Sequence, residues 1–243
     1  MGRVGGGRAS SIGLLVLATC MSASLGLSAG AAEPDRPPQQ RVPPVAAIQL
    51  LPQENRTGTY LVTQGPDTNA PIPFSYTQHD TRWILTKEGL TQHELEYDAS
   101  GNVLILREVN FRTGQEIEYD PPVVLLPAMV DGETSLTGRS RVVVRNRETG
   151  SATHRGSCTW HVMFAGIDNF ASPSGAIAVY TMRLTREVRL SIARMSLIVD
   201  FGYVLGEGIV ATSSSQVIRV LGLLTDREAW SLERPLLGVP DPT

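Results

Sequence analysis

The chain has 243 residues, of which 42% are hydrophobic and 19% charged, and its formal net charge is −3. This length suits one β domain or two small ones, and we favour one. A mildly acidic balance gives no reason to expect a nucleic-acid partner.

The first 32 residues have the layout of a secretory signal peptide. Arg3 and Arg8 precede an apolar run that small or weakly polar residues interrupt, and Ala31 or Ala32 suits signal peptidase cleavage. The loss of this leader would take the net charge from −3 to −5. No later stretch approaches the roughly 20 apolar residues that span a bilayer. The sequence therefore predicts an exported protein, periplasmic or secreted.

A lipid anchor is an alternative at the same terminus. The residues before Cys20 resemble a lipobox, in which the cysteine is lipidated and becomes the new N-terminus. Thr19 departs from that motif, which prefers Gly, Ala or Ser immediately before the cysteine. After loss of a 32-residue leader only Cys158 remains, so the mature chain could not form an internal disulfide.

Proline and polar residues dominate the start of the region 33–54, which we predict to be an extended linker. From 55 to 224 the pattern predicts one antiparallel β domain. The segment 90–97 alternates Leu95 and Tyr97 with acidic residues, as half-buried strands do. A turn over 98–102 leads into a strand over 103–111, and the next strand ends at Asp120, before two prolines.

The second half continues the strand pattern. We predict strands over 139–147, 152–164, 176–190, 192–204 and 209–221, with turn residues between them. The sequence thus favours an all-β fold: a single antiparallel meander curved into an open barrel, a clam or a sandwich. In the C-terminal tail, 225–243, we expect one short helix over 227–232.

Arginine is concentrated between residues 139 and 194, whereas acids dominate between 85 and 133. One interpretation is an anionic-ligand face formed by Arg139, Arg141, Arg145 and Arg147. The alternative is that acidic and basic strands lie side by side and neutralise one another as cross-strand pairs.

The sequence predicts no catalytic residue, cofactor or metal site. Cys158 and His161 are three residues apart, so in a strand they face opposite ways. His79, His93 and His154 lack a second ligand at a usable spacing, and we expect them at the surface. Ser172 and Ser174 could serve an exported serine hydrolase, but they lack the G-x-S-x-G arrangement.

Two segments, Ala165–Val179 and Phe201–Val210, resemble uncharacterised exported bacterial β proteins of the TapB type. The resemblance covers roughly residues 121–223. Asp168, Ser174, Ile177 and Phe201 depart from the pattern of that group, in which a Glu, an alanine, an aromatic residue and a tryptophan are preferred. The resemblance implies a curved antiparallel β architecture in the envelope.

Together these features favour a non-enzymatic envelope β protein that binds an apolar small molecule, a lipid or an envelope protein. The anchor through Cys20 and the hydrolase remain the alternatives.

Overall fold

The computed structural model describes residues 43–65, 67–172 and 175–234. Twelve strands form one closed antiparallel barrel, in the order β10-β11-β12-β13-β14-β2-β3-β4-β5-β6-β7-β9, and β1 pairs with β8 in a separate two-stranded sheet. The strands are β1 (Val45–Ala46), β2 (Arg56–Gln64), β3 (Pro71–His79), β4 (Arg82–Lys87), β5 (Thr91–Tyr97), β6 (Val103–Asn110), β7 (Gln115–Leu126), β8 (Met129–Val130), β9 (Ser135–Asn146), β10 (Ala152–Ser172), β11 (Gly175–Leu190), β12 (Ala193–Val204), β13 (Gly208–Val220) and β14 (Leu223–Glu233).

The prediction of an antiparallel all-β fold is confirmed, and the sheet closes fully into a barrel, whereas the sequence had suggested an open barrel, a clam or a sandwich. Closure follows from the pairing of β14 with β2, through which the last strand meets the first strand of the barrel. A closed barrel leaves fewer unpaired strand edges than an open sheet.

Strand alternation places large apolar side chains inside the barrel. Trp83, Leu85 and Leu95 are at most 2% exposed, while their sequence neighbours face outward. Trp83 Nε1 also donates a hydrogen bond to the carbonyl of Pro52, at 3.2 Å. The buried side chains form one core cluster that includes residues of all twelve barrel strands.

The segment just before the barrel packs against one of its ends. A 3₁₀ helix, Ala47–Leu50, follows β1, and Ala47, Leu50 and Leu51 are fully buried. The backbone of Gly206 donates a hydrogen bond to the carbonyl of Gln49, at 2.7 Å. The predicted linker over 33–54 is therefore wrong for its last residues, because from Val45 onward they contribute to the core.

We call the end covered by this segment the proximal end. It carries the turns 80–81, 98–102 and 205–207. The opposite, distal end carries the turns 88–90, 111–114, 147–151, 191–192 and 221–222. β14 pairs with β2 through Ser231–Glu233, so the hairpin β13–β14 continues beyond this contact toward the distal end.

Two further predictions are wrong. The helix expected over 227–232 is part of β14, whose side chain Leu232 is buried in the barrel. The strand predicted to end at Asp120 instead continues through Pro121 and Pro122 to Leu126. Both prolines lie where the ladder with β6 shifts register and the ladder with β9 has ended, so their missing N–H groups interrupt no regular pairing.

Candidate functional site

A cluster of charged and polar side chains lies inside the barrel near the distal end. Arg186 on β11 donates from Nη1 to Glu108 Oε1 at 2.6 Å and to the Tyr119 hydroxyl at 2.8 Å. The Tyr119 hydroxyl in turn donates to Glu108 Oε2 at 3.0 Å. His93 Nε2 lies 3.5 Å from the same carboxylate. Four strands therefore meet at one buried carboxylate.

Burial and neighbouring charges together set the pKa values of Glu108 and His93. Burial would raise the pKa of Glu108, but the charge of Arg186 outweighs it and, with hydrogen bonds from Arg186 and Tyr119, holds that pKa below its ordinary value. Burial lowers the pKa of His93 to about 4, and although Glu108 opposes this, Lys87 and Arg186 reinforce it. At neutral pH the cluster therefore contains a carboxylate, a guanidinium and a neutral imidazole.

Lys87, at the end of β4, is 1% exposed and is the only lysine of the chain. Its Nζ donates to Thr212 Oγ1 at 3.1 Å. The rings of Tyr60 and Trp230 lie 5.4 and 5.8 Å from Nζ. Burial lowers the pKa of Lys87 to about 7, because the charged ammonium loses its hydration.

Several buried polar atoms in the barrel have no hydrogen-bond partner within the described part of the chain. They are Thr91 Oγ1, His93 Nδ1, Arg186 Nε, Tyr203 OH and Ser214 Oγ. Buried polar groups are normally paired, so such a group needs an explanation. His93 was expected at the surface, and that prediction is wrong because its strand phase matches that of buried Leu95.

The structure separates the cysteine from the nearby histidine. Cys158 is fully buried, and burial raises the pKa of its thiol to about 11, which disfavours the nucleophilic thiolate. His161 faces outward, with Nε2 2.9 Å from Ser135 Oγ. Within residues 43–65, 67–172 and 175–234, no group of three or more His, Cys, Asp or Glu side chains could hold a metal ion.

The four arginines of the predicted anionic face lie on or just after β9. Arg141 bonds Asp120 at 2.5 Å, and Arg145 bonds Glu118 at 3.0 Å. Arg147 lies over the ring of Phe111, with 5.0 Å between Cζ and the ring centroid. Arg139 lines a shallow outer depression of about 470 Å³ together with side chains that include Glu187. Acidic or aromatic neighbours thus accompany each member of the set.

A different set of arginines converges at the distal end. Arg189 on β11 lies directly opposite Arg194 on β12, and Arg194 lies opposite Arg219 on β13. Paired residues share a face of the sheet, and all three side chains are exposed. We call these three residues the arginine row. Like charges at directly opposed positions destabilise a sheet, so folding alone does not favour this arrangement.

One acidic residue lies on the same face near the row. Glu187 Oε2 is 3.9 Å from Arg189 Nη2 in a pair whose two side chains are more than half exposed. Arg227 lies opposite Val217 on that outer face, while Asp226 and Glu228 occupy the other face of β14. The outer face of the hairpins β11–β12 and β13–β14 near the distal end is therefore predominantly basic.

Three exposed aliphatic side chains lie at the tips of the same hairpins. Ile192, Leu221 and Leu223 are 50%, 78% and 73% exposed. The two tips are connected, because the Leu221 N–H donates to the Ile192 carbonyl at 2.9 Å. Exposed aliphatic residues beside basic ones are a combination found at membrane-contacting surfaces.

Several predicted features lie outside the described residues. These are the leader 1–32 with Cys20, the cleavage position, the first part of the linker, Ser174 and residues 235–243. The side chain of Ser172 also lies outside them. The described segments contain no helix long and apolar enough to cross a membrane.

Comparison with known proteins gives little further information. No family model and no curated protein matches the chain. A crystal structure described as a "putative lipoprotein" from Parabacteroides distasonis ATCC 8503 is similar over 76% of this chain and 97% of its own, at 10% identity and a TM-score of 0.37. No family model therefore supports the TapB-type resemblance, and the assignment of function rests on the residues themselves.

Proposed function

We propose that the protein is an exported, non-enzymatic envelope protein that binds an anionic bilayer surface through the distal end of its barrel. The observation that carries this proposal is the position of the arginine row beside three exposed aliphatic tips. Export is supported by the signal-peptide layout of residues 1–32.

The chemistry of the two side-chain types is complementary to a lipid surface. A guanidinium donates two parallel hydrogen bonds to a phosphate, which suits Arg189, Arg194 and Arg219 to phospholipid headgroups. Aliphatic tips such as Leu221 can enter the boundary between headgroups and acyl chains. An anionic surface would also relieve the repulsion within the arginine row.

The barrel interior is a less suitable place for an apolar ligand. Large side chains pack its core, among them Trp83, Tyr60, Tyr76 and Tyr203, each at most 2% exposed, so an extended apolar ligand would have to displace them. Binding at the outer surface of the distal end requires no displacement of this core.

The test is co-sedimentation with vesicles of phosphatidylcholine alone or mixed with phosphatidylglycerol. Each basic residue near an anionic surface contributes about 1 kcal/mol, so the triple variant R189Q/R194Q/R219Q should bind mixed vesicles about 100-fold more weakly. The matched control R139Q/R141Q/R145Q removes the same charge from β9 and should bind almost as the wild type does. Equal losses in both variants, or no binding by the wild type, would refute the proposal.

A further inference from the structure

A second feature, independent of the membrane surface, is the environment of Lys87. This is the only lysine in a chain whose other basic side chains, apart from histidine, are all arginine. It is also buried, whereas lysine is among the residues least often buried without a charged partner. An amine has one property that a guanidinium lacks, which is that it can lose its proton and act as a nucleophile.

The immediate partners of the amine are neutral. Lys87 Nζ donates to Thr212 Oγ1 at 3.1 Å, although an ammonium has three donors. Tyr60 on β2 and Trp230 on β14 contribute ring faces. On β5 the neighbouring groups are Thr91 and His93, and Arg186 and Glu108 lie beyond His93.

Two inward-facing hydroxyls without a hydrogen-bond partner lie on β5, which pairs with the strand of Lys87, and on β13, the strand of Thr212. Thr91 is the direct cross-strand partner of Lys87 and shares its inward face. Ser214 is two residues from Thr212 on β13, also facing inward, and is 8% exposed. The Oγ atoms of Thr91 and Ser214 are both buried without a hydrogen-bond partner. A small ligand with a polar atom would satisfy groups that the protein leaves unpaired.

We infer that Lys87, Thr91, Thr212 and Ser214 form a capture site for a small aldehyde or ketone, which Lys87 binds covalently as an imine. The lone pair of Nζ attacks the carbonyl carbon, and one proton moves from that nitrogen to the carbonyl oxygen, which gives a neutral carbinolamine. The C–O bond then breaks and one water leaves with a proton from the nitrogen, which yields the C=N bond. The balance needs no oxidant or reductant, and Thr212 Oγ1 remains in place to accept from a protonated imine.

The acid–base state of the residue is compatible with this reaction at neutral pH. Burial lowers the pKa of Lys87 to about 7, so about half of the side chains are neutral amine at that pH. An ordinary lysine is neutral in only about one molecule in 10³ at pH 7.

The test is reductive trapping of the folded protein with propanal and cyanoborohydride at pH 7, followed by peptide mapping. Because there is one lysine, a propylated peptide containing residue 87 is unambiguous, and the α-amine is an internal standard. We expect Lys87 to be labelled faster than Nα-acetyl-lysine under the same conditions. Labelling confined to the α-amine in the folded protein, with Lys87 reacting only in urea, would overturn the inference.

Two variants examine the role of the hydroxyl. Thr212→Val should lower the yield of adduct at Lys87 several-fold, because it removes the acceptor for the imine nitrogen. Ser215→Ala, whose side chain is exposed on the other face of the same strand, should leave the yield unchanged. Equal yields in the wild type and Thr212→Val would contradict the assigned role of Thr212. Whether the site exists at all is tested separately, by whether Lys87 is labelled in the folded wild-type protein.

Discussion

Arg186 and Glu108 are 78 positions apart in sequence, and their side chains meet inside the barrel with Nη1 2.6 Å from Oε1. Their strands, β11 and β6, are separated in the barrel by β10, β9 and β7. The pair therefore joins two walls of the barrel through its interior, and its two side chains are 4% and 12% exposed.

Removal of one partner of this pair should be costly. Arg186→Met would leave Glu108 buried without its strongest donor, which typically destabilises a protein by about 3–5 kcal/mol. Arg183→Met is a matched control, because Arg183 faces outward on the same strand and bonds Asp200 at 2.7 and 2.9 Å. Exposed pairs contribute about 0–1 kcal/mol. Urea unfolding would measure both, and similar losses would show that the buried pair has no special role.

The depressed pKa of Lys87 predicts that stability rises with pH above neutrality. In the unfolded chain lysine keeps its proton up to about pH 10.4, whereas folded Lys87 loses it near pH 7. The unfolded state thus binds more protons in this window, so the free energy of unfolding should increase by about 2 kcal/mol from pH 7 to pH 9.

Below pH 7 both states are protonated and the burial penalty is constant. Above about pH 9.5 unfolded tyrosines begin to ionise and reverse the trend, because burial raises the pKa of Tyr60 and Tyr119 well above the ordinary value. Urea unfolding of the wild type and Lys87→Met at pH 7 and pH 9 makes the comparison. A slope that is the same in both proteins would contradict the assignment to Lys87.

The lowered pKa of His93 predicts that the protein loses stability under mildly acidic conditions. Its folded pKa of about 4 lies below the ordinary value of about 6.5, so the unfolded chain gains a proton first as the pH falls. From pH 7 to pH 5 this linkage should reduce the free energy of unfolding by about 2 kcal/mol.

The variant His93→Gln should lack this acid-induced loss, whereas His79→Gln, at an exposed position, should retain it. Unfolding curves at the two pH values would measure the effect, and a wild-type response in His93→Gln would rule out His93 as its source.

The close approach of β10 and β11 at Gly156, beside the arginine row, predicts that this position tolerates no side chain. A Cβ at this position would lie 2.0 Å from the backbone carbonyl oxygen of Arg189, so β10 and β11 would have to move apart. We expect Gly156→Ala to destabilise the protein by about 1–3 kcal/mol, as overpacking does. Gly132→Ala, with nothing within 4 Å of the added carbon, is the control and should change stability by at most about 0.5 kcal/mol. Thermal unfolding of both variants would detect the difference.

Hydrophobic alternation was sufficient to predict most strands from Thr91 onward. The predicted alternation of Leu95 with its acidic neighbours matches the barrel, in which Leu95 is buried in the core. Alternation could not predict closure, because the pairing of β14 with β2 joins segments far apart in sequence. It also could not reveal that Val45–Leu51, which follows a proline-rich stretch, packs on the proximal end.

The buried polar cluster was missed for a physical reason. A bulge at Leu106 inserts an extra residue in β6, so that Ile105 and Glu108 both face inward while Arg107 faces outward. Without the bulge, Glu108 would share the outward phase that its charge suggests. The burial of Lys87 could have been predicted from the sequence, because Lys87 continues the inward phase of Trp83 and Leu85. The arginine row depends on cross-strand register, which the sequence does not specify.

A fluorophore at one distal tip reports directly on whether that tip enters an anionic bilayer. Leu221→Cys, labelled with the environment-sensitive dye NBD, should show a blue shift and quenching by acyl-chain nitroxides on mixed phosphatidylcholine–phosphatidylglycerol vesicles. Cys158 is fully buried and should stay unlabelled, and Ala99→Cys at the proximal end is the control that should not respond. An unchanged spectrum at position 221, or equal quenching at 99 and 221, would rule out insertion of the distal tips into the bilayer.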